Sequence, residues 1–173
     1  MVEWALENKA QIGTSNSKLG LCGDSSGGTL SAILAHDFKE QIDYEILIYP
    51  SVNFGGLYQS YKEFSKECYI LVPEVLNYFV KNLGENPTQF ASQLSPIKYE
   101  NFSKLSKCLI IAVELDPLID DSKHYYQKLK QENIECILKI INGVVHGYFS
   151  SPLVFKNAFA ETSNYIHDFF TKI

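Results

Sequence analysis

The stretch Gly23-Asp24-Ser25-Ser26-Gly27-Gly28 decides how the rest of the sequence is interpreted. An apolar run over residues 19–22 precedes it, and a segment with helical spacing follows, with apolar residues at Leu30, Ile33, Leu34 and Phe38. A serine inside G-x-S-x-G between a strand and a helix is typical of a nucleophile elbow. Such a turn needs small neighbours because strand and helix nearly touch. We therefore predict that Ser25 lies at the tip of the turn, supported by Gly23, Asp24, Gly27 and Gly28.

The predicted helix begins directly after Ser25. The free N–H groups of a first helical turn carry partial positive charge. They would face any negative charge that develops on a bound carbonyl oxygen. The backbone N–H of Ser26 is therefore the expected oxyanion donor.

Composition limits the class of protein. The chain has 173 residues, of which 46% are hydrophobic, and a formal net charge of -5. These values predict one folded domain over residues 1–173. The lysines are dispersed, and a phosphate-binding surface needs clustered basic residues, so nucleic acid is not an expected partner. No apolar run reaches the length of a membrane span, and the first residues lack a secretion signal, so a cytoplasmic location is expected.

The four cysteines lie far apart and form no C-x-x-C motif: Cys22, Cys68, Cys108 and Cys136. Three of them fall in apolar, strand-like runs. This pattern predicts buried thiols rather than disulfides or a metal site.

Strand-like and helix-like segments alternate along the chain. Helices are predicted at about 2–12, after Ser25, at 73–83, at 119–132 and in a closing segment around 155–170. Strands are predicted at 19–22, 44–49, 108–113 and 134–141, and an irregular insertion occupies about 51–97. This order predicts an α/β fold with a mostly parallel sheet and helices on both faces.

Two residues that follow predicted strands are the expected partners of Ser25. Active groups of such sheets lie at the carboxyl ends of strands. The strand ending near Leu115 leads to Asp116, and the strand ending at Ile141 leads to a loop over 142–147 that contains His146. We assign Ser25 as nucleophile, His146 as general base and then acid, and Asp116 as the carboxylate that orients the imidazole.

Other histidines and acids are weaker candidates. The remaining histidines lie within helical stretches away from strand ends: His36, His124 and His167. Asp120 and Glu114 are the alternatives for the acid. A role in stabilising the dipole of the following helix explains Asp120, while Glu114 still lies within the strand.

The motifs resemble those of the hormone-sensitive lipase group of α/β-hydrolases. The elbow is similar to the motif G-D-S-A-G-G of that group. The group's acid segment, usually written D-P-L-R-D-E, is similar to the run Glu114-Leu115-Asp116-Pro117-Leu118-Ile119-Asp120-Asp121. Its H-G-F motif is similar to His146-Gly147-Tyr148. The resemblance implies an α/β-hydrolase fold and a serine carboxylesterase or lipase with a Ser-His-Asp triad and an acyl-enzyme. It implies short- to medium-chain acyl esters as substrates and no metal or organic cofactor.

One motif of that group is absent from the sequence. Its members carry an H-G-G-G segment well upstream of the elbow, which supplies much of the oxyanion hole, and nothing here matches it. The chain resembles the C-terminal part of the domain, with the 51–97 insertion matching the substrate pocket and the back of the lid. We expect an N-terminally truncated sheet with an exposed edge, which favours self-association or pairing with the missing N-terminal segment.

Three functions stay open at this point. The first is a serine carboxylesterase, with activity impaired by the loss of oxyanion donors. The second is a truncated hydrolase-fold remnant that binds a ligand or partner with little turnover. A peptidase or thioesterase that uses the same triad is the third.

Overall fold

The structure, a computed structural model, describes residues 1–14, 16–56, 58–66, 69–84 and 86–171, and within them four parallel strands form one sheet. The strands lie in chain order: β1 (Gly20–Asp24), β2 (Tyr44–Ile48), β3 (Lys107–Leu115) and β4 (Cys136–Val145). Because every pairing is parallel, the carboxyl ends of all four strands meet at one edge of the sheet. The predicted parallel sheet is confirmed.

Seven α-helices occur in the described residues: α1 (Val2–Glu7), α2 (Lys9–Ile12), α3 (Ser26–Asp37), α4 (Gln59–Phe64), α5 (Pro73–Lys81), α6 (Ile119–Gln131) and α7 (Lys156–Phe170). The single helix predicted over 2–12 is divided at Asn8. The Asn8 side-chain amide donates a hydrogen bond to the carbonyl oxygen of Trp4 at 2.7 Å. Asparagine side chains compete in this way with backbone bonding, which explains the break.

The central strands are buried on both faces. From Cys108 to Val113 every residue of β3 is buried, as expected for a parallel strand covered by helices on each side. Helices α3 and α6 cover one face, where Ala32 and Leu129 pack with Leu47, and α7 covers the other, where Phe169 packs with Ile111. Each fully buried large aliphatic side chain contributes about 1.5–3 kcal/mol.

Strand β4 is longer than predicted. It continues to Val145, which pairs with Leu115 beyond an irregularity of β3 between Val113 and Leu115. The backbone N–H of Gly143 donates to Glu114 Oε2 at 2.7 Å, and Gly143 has a φ of 70°, a conformation that glycine tolerates. The predicted 142–147 loop is therefore mostly strand, and His146 follows the strand directly.

The prediction of buried thiols is wrong for Cys22, which is exposed, whereas Cys108 and Cys136 are free and buried. Leu21 packs against the core under α3, and successive strand residues face opposite sides, so Cys22 faces the other side at the outer strand. In the described part of the chain β1 pairs with β2 alone, so the other edge of β1 is unpaired. Cys68 lies outside the described residues.

The insertion between β2 and β3 contains α4, α5 and short 3₁₀ turns at Pro87–Phe90 and Pro96–Lys98. Helix α5 has no buried residue, and Tyr78 and Phe79 are exposed.

The single-domain organisation over 1–173 and the lid role of the insertion stay predictions. In the residues that the structure describes, no helix combines the length and apolar character that crossing a bilayer requires.

Candidate active site

Ser25 occupies a strained turn between β1 and α3. Its φ of 53° and ψ of -119° are unusual for a residue with a side chain. The backbone N–H of Ser25 donates to the carbonyl of Ile48 at 2.9 Å, and the Ser25 carbonyl accepts from the N–H of Thr29 at 3.1 Å. These bonds hold the turn against β2 and α3, so the backbone that carries the Ser25 hydroxyl is fixed in position.

Two of the predicted supporting glycines have a steric reason. A Cβ atom on Gly23 would lie 2.2 Å from the carbonyl oxygen of Gly27, and one on Gly28 would lie 2.8 Å from Cβ of Pro50. A Cβ atom on Gly27 would meet only Asp24 Oδ1, at 4.0 Å. The close approach of strand and helix therefore requires glycine at 23 and 28, while position 27 has room for a methyl group.

The three residues predicted to act together form one hydrogen-bonded chain. Ser25 Oγ lies 2.9 Å from Nε2 of His146, and Nδ1 of His146 lies 2.7 Å from Oδ2 of Asp116. A carboxylate accepts hydrogen bonds, which favours the tautomer in which His146 Nδ1 donates to Asp116 and Nε2 accepts from the Ser25 hydroxyl. This arrangement can take a proton from Ser25 and stabilise the resulting imidazolium.

A contact other than that with the imidazole also holds Asp116 in place. It is fully buried, and its Oδ1 accepts from the backbone N–H of Leu118 at 2.8 Å. Its other oxygen is thereby directed at His146, which is 8% exposed. A carboxylate held by two donors has little freedom to turn away.

The weaker acid candidates have other partners. Asp120 Oδ2 accepts from the N–H of Ser60 at 3.0 Å, and Glu114 accepts from Gly143. Asp121 is buried, and its Oδ2 accepts from the N–H of Val52 at 3.2 Å. Burial, more than the nearby Asp116, raises the pKa of Asp121 to about 8. Asp120 and Asp121 thus hold the insertion, through the backbone of Ser60 and Val52, close to the end of β3.

Two of the other histidines also have partners elsewhere. His36 lies edge-on to Tyr99 and Phe102, each with ring centroids 4.8 Å away, and burial lowers its pKa to about 4. His124 stacks on Tyr58 at 4.2 Å, and its Nδ1 lies 2.7 Å from the carbonyl oxygen of Asp120. His167 lies in α7, as predicted.

Sequence reasoning missed Tyr49, which follows β2 directly. Its side chain is buried, its hydroxyl donates to Asp24 Oδ2 at 3.0 Å, and its ring centroid lies 4.7 Å from that of His146. Burial, together with Asp24, raises the pKa of the phenol above its ordinary value. Its place at the carboxyl end of a parallel strand is the signal that could have identified it.

The expected oxyanion donor lies at the start of α3. Ser26 is the first residue of that helix, so its backbone N–H has no acceptor within the helix. Within the described residues, no group of three or more histidine, cysteine or acidic side chains is arranged to hold a metal ion.

Comparison with known proteins identifies the fold family. A family model described as alpha/beta hydrolase fold matches residues 1–150. The chain is similar to an arylesterase of Saccharolobus solfataricus, 26% identical over 155 residues that cover 87% of this chain and 51% of the relative. An ethyl acetate hydrolase of Pseudomonas putida is 26% identical over 161 residues, covering 90% of this chain and 50% of the relative.

Solved structures show the same similarity. An esterase of Pyrobaculum calidifontis superimposes with a TM-score of 0.86 at 28% identity, covering 94% of this chain and 55% of that chain. The thermophilic carboxylesterase EstE1, cloned from a metagenomic library, gives a TM-score of 0.81 at 26% identity, covering 93% of this chain and 56% of that chain. The chain spans about half the length of the curated relatives it matches. The matched family model and these superpositions confirm the fold predicted from the motifs, and the chain belongs to the alpha/beta hydrolase fold family.

Proposed function

We propose that this chain provides the catalytic residues of a serine carboxylesterase that acts on small acyl esters. The observation that carries the proposal is the hydrogen-bonded chain from Ser25 through His146 to Asp116. The relatives named as esterases support the reaction class. Short- to medium-chain acyl groups are the expected substrates.

In the proposed reaction, Ser25 Oγ attacks the ester carbonyl carbon while Nε2 of His146 takes the hydroxyl proton. Asp116 stabilises the imidazolium through Nδ1. The tetrahedral intermediate collapses when Nε2 returns the proton to the leaving alcohol oxygen, leaving an acyl group on Ser25. Water then adds to the acyl-enzyme with His146 again as base, and the acid product and the free hydroxyl are released.

Oxyanion stabilisation is the step that this chain supports least. The Ser26 N–H is the donor assigned here, and the printed sequence contains no H-G-G-G segment. Losing one such donor costs about 100- to 1000-fold in rate. This observation favours a second candidate function, a hydrolase fold that binds an ester or a partner with little turnover.

Hydrolysis of p-nitrophenyl acetate and p-nitrophenyl butyrate tests the proposal. We expect the wild-type chain to exceed the Ser25→Ala background, and Asp116→Asn to fall towards that background because the imidazole loses its orienting carboxylate. His124→Ala is the matched control, since His124 contacts Tyr58 instead, and it should keep the wild-type rate. A wild-type rate equal to that of Ser25→Ala would favour the binding function. Equal and substantial turnover by both proteins would remove Ser25 from the mechanism.

A further inference from the structure

We propose that Tyr49 and Asp24 are positioning residues for His146, with Asp24 fixing the Tyr49 hydroxyl and the Tyr49 ring holding the imidazole in line with Ser25. This inference rests on the proposed function, in which His146 exchanges a proton with Ser25. Neither residue is assigned a proton transfer of its own. The pair acts on the position and orientation of the imidazole, which exchanges the proton in the proposed reaction.

Tyr49 is held at both of its ends. Its backbone N–H donates to the carbonyl of Ile111 at 2.7 Å, and its φ of 38° is a conformation that a tyrosine adopts only when its surroundings impose it. Its hydroxyl donates to Asp24 at 3.0 Å, and its ring packs edge-on against Tyr148 with centroids 5.7 Å apart. The ring therefore has one available orientation, and that orientation places it beside His146.

Asp24 connects this ring to the nucleophile. It immediately precedes Ser25, and it pairs with Ile48, the residue before Tyr49, in the β1–β2 register. The Ser25 N–H bonds to the carbonyl of the same Ile48. Ser25 and Tyr49 are thus both held by the paired ends of β1 and β2. A change in the Asp24–Tyr49 bond therefore alters the distance between Ser25 and His146.

The contact between the two rings suits a histidine that becomes charged. The centroids of Tyr49 and His146 lie 4.7 Å apart with planes inclined by 58°. A cation within about 6 Å of an aromatic ring is attracted by its electrons. A tyrosine hydroxyl is already protonated near neutral pH, and burial raises the pKa of Tyr49 further, so it stays a donor to Asp24.

The competing explanation is that Tyr49 only fills space, and Tyr148 offers a matched control. Tyr148 is also fully buried, and its hydroxyl also has a side-chain partner, Thr162 of α7. Tyr148→Phe and Tyr49→Phe each delete one buried, hydrogen-bonded hydroxyl and keep the ring. A purely structural role predicts similar effects of the two substitutions on the site.

Inactivation by a fluorophosphonate probe measures the reactivity of Ser25 in the wild type, Tyr49→Phe, Asp24→Ala, the double variant and Tyr148→Phe. Tyr49→Phe keeps the ring and removes the donor, and Asp24→Ala removes the acceptor, so we expect each to slow inactivation about two- to tenfold. The double variant should be no slower than the slower single variant, because both substitutions break the same bond. Tyr148→Phe should stay within about twofold of the wild type, because it keeps the ring that packs on Tyr49 and removes only a hydroxyl bonded to Thr162. A wild-type rate for Tyr49→Phe, or a double variant slowed by the product of the single effects, would overturn the inference.

A second readout does not depend on nucleophilic activity. Proton NMR of the Nδ1–H that His146 shares with Asp116 reports how firmly the imidazole is held. We expect this proton to exchange faster with solvent in Tyr49→Phe than in Tyr148→Phe, and equal exchange would contradict the positioning role. If the wild type fails to react with the probe, the proposed function fails, while the NMR comparison still decides whether Tyr49 fixes the ring.

Discussion

Replacing Glu45 by glutamine should give the protein an advantage in stability over the wild type that grows as pH rises. Glu45 lies in β2 opposite Cys108 and is fully buried. Within the described residues neither of its carboxyl oxygens has a hydrogen-bond partner. An isolated buried carboxylate is costly, so burial raises the pKa of Glu45 from 4.5 to about 8. The folded protein therefore holds this carboxyl in its protonated form at neutral pH.

The sign of the effect follows from proton linkage. Between pH 4.5 and about 8 the unfolded chain has released the Glu45 proton and the folded chain has retained it. The stability that this proton contributes is complete below pH 4.5 and is lost as pH rises through the interval, by about 1.4 kcal/mol for each pH unit. Over the whole interval the loss amounts to about 5 kcal/mol. Glutamine has no proton to lose, so Glu45→Gln escapes this decline.

Urea denaturation followed by circular dichroism, repeated from pH 5 to pH 8.5, measures the free energy of unfolding of both proteins. We expect the advantage of Glu45→Gln over wild type to grow steadily with pH and to level off above about pH 8. Asp121 contributes a dependence of the same sign to both proteins, so it cancels in the difference. Glu135→Gln, at an exposed position beside Cys136, is the control and should show no such growth. A difference between Glu45→Gln and wild type that does not change with pH would refute the reasoning.

The remaining predictions concern the elbow and the thiols. Gly23→Ala should lower the free energy of unfolding by more than about 3 kcal/mol, because its methyl group would meet backbone, whereas Gly27→Ala should change it by less than about 1 kcal/mol in the same urea titration. Equal losses for both would contradict the account of the turn. Alkylation with iodoacetamide followed by peptide mass spectrometry should modify exposed Cys22 in the folded protein and buried Cys108 only after unfolding. Early modification of Cys108 would show that the core thiols are accessible.

Much of the fold was predictable because its signals are local. The run at 108–113 is apolar without interruption, which indicates a strand covered on both faces, and the structure has it so. Ser25, Asp116 and His146 could be selected together because parallel strands bring their carboxyl ends to one edge. The rule needs only the strand order along the chain, which the sequence supplies.

The features that were missed depend on tertiary contacts. The exposure of Cys22 depends on which elements cover each face of an outer strand, and the alternation of residues does not reveal that. The extension of β4 depends on pairing beyond an irregularity in β3. The position of Tyr49 at the end of β2 could have marked it as a candidate, but its contact with His146 depends on the positive φ of its backbone, which the sequence does not reveal.

The central claim is that Ser25 is a nucleophile activated through His146. Labelling with a fluorophosphonate probe, followed by peptide mass spectrometry, tests it most directly because one covalent reaction of the serine is enough and no turnover is needed. We predict one adduct, on the peptide that contains Ser25, with no adduct in Ser25→Ala and strongly slowed labelling in His146→Ala. Equal labelling of wild type and Ser25→Ala, or an unchanged rate in His146→Ala, would contradict the account.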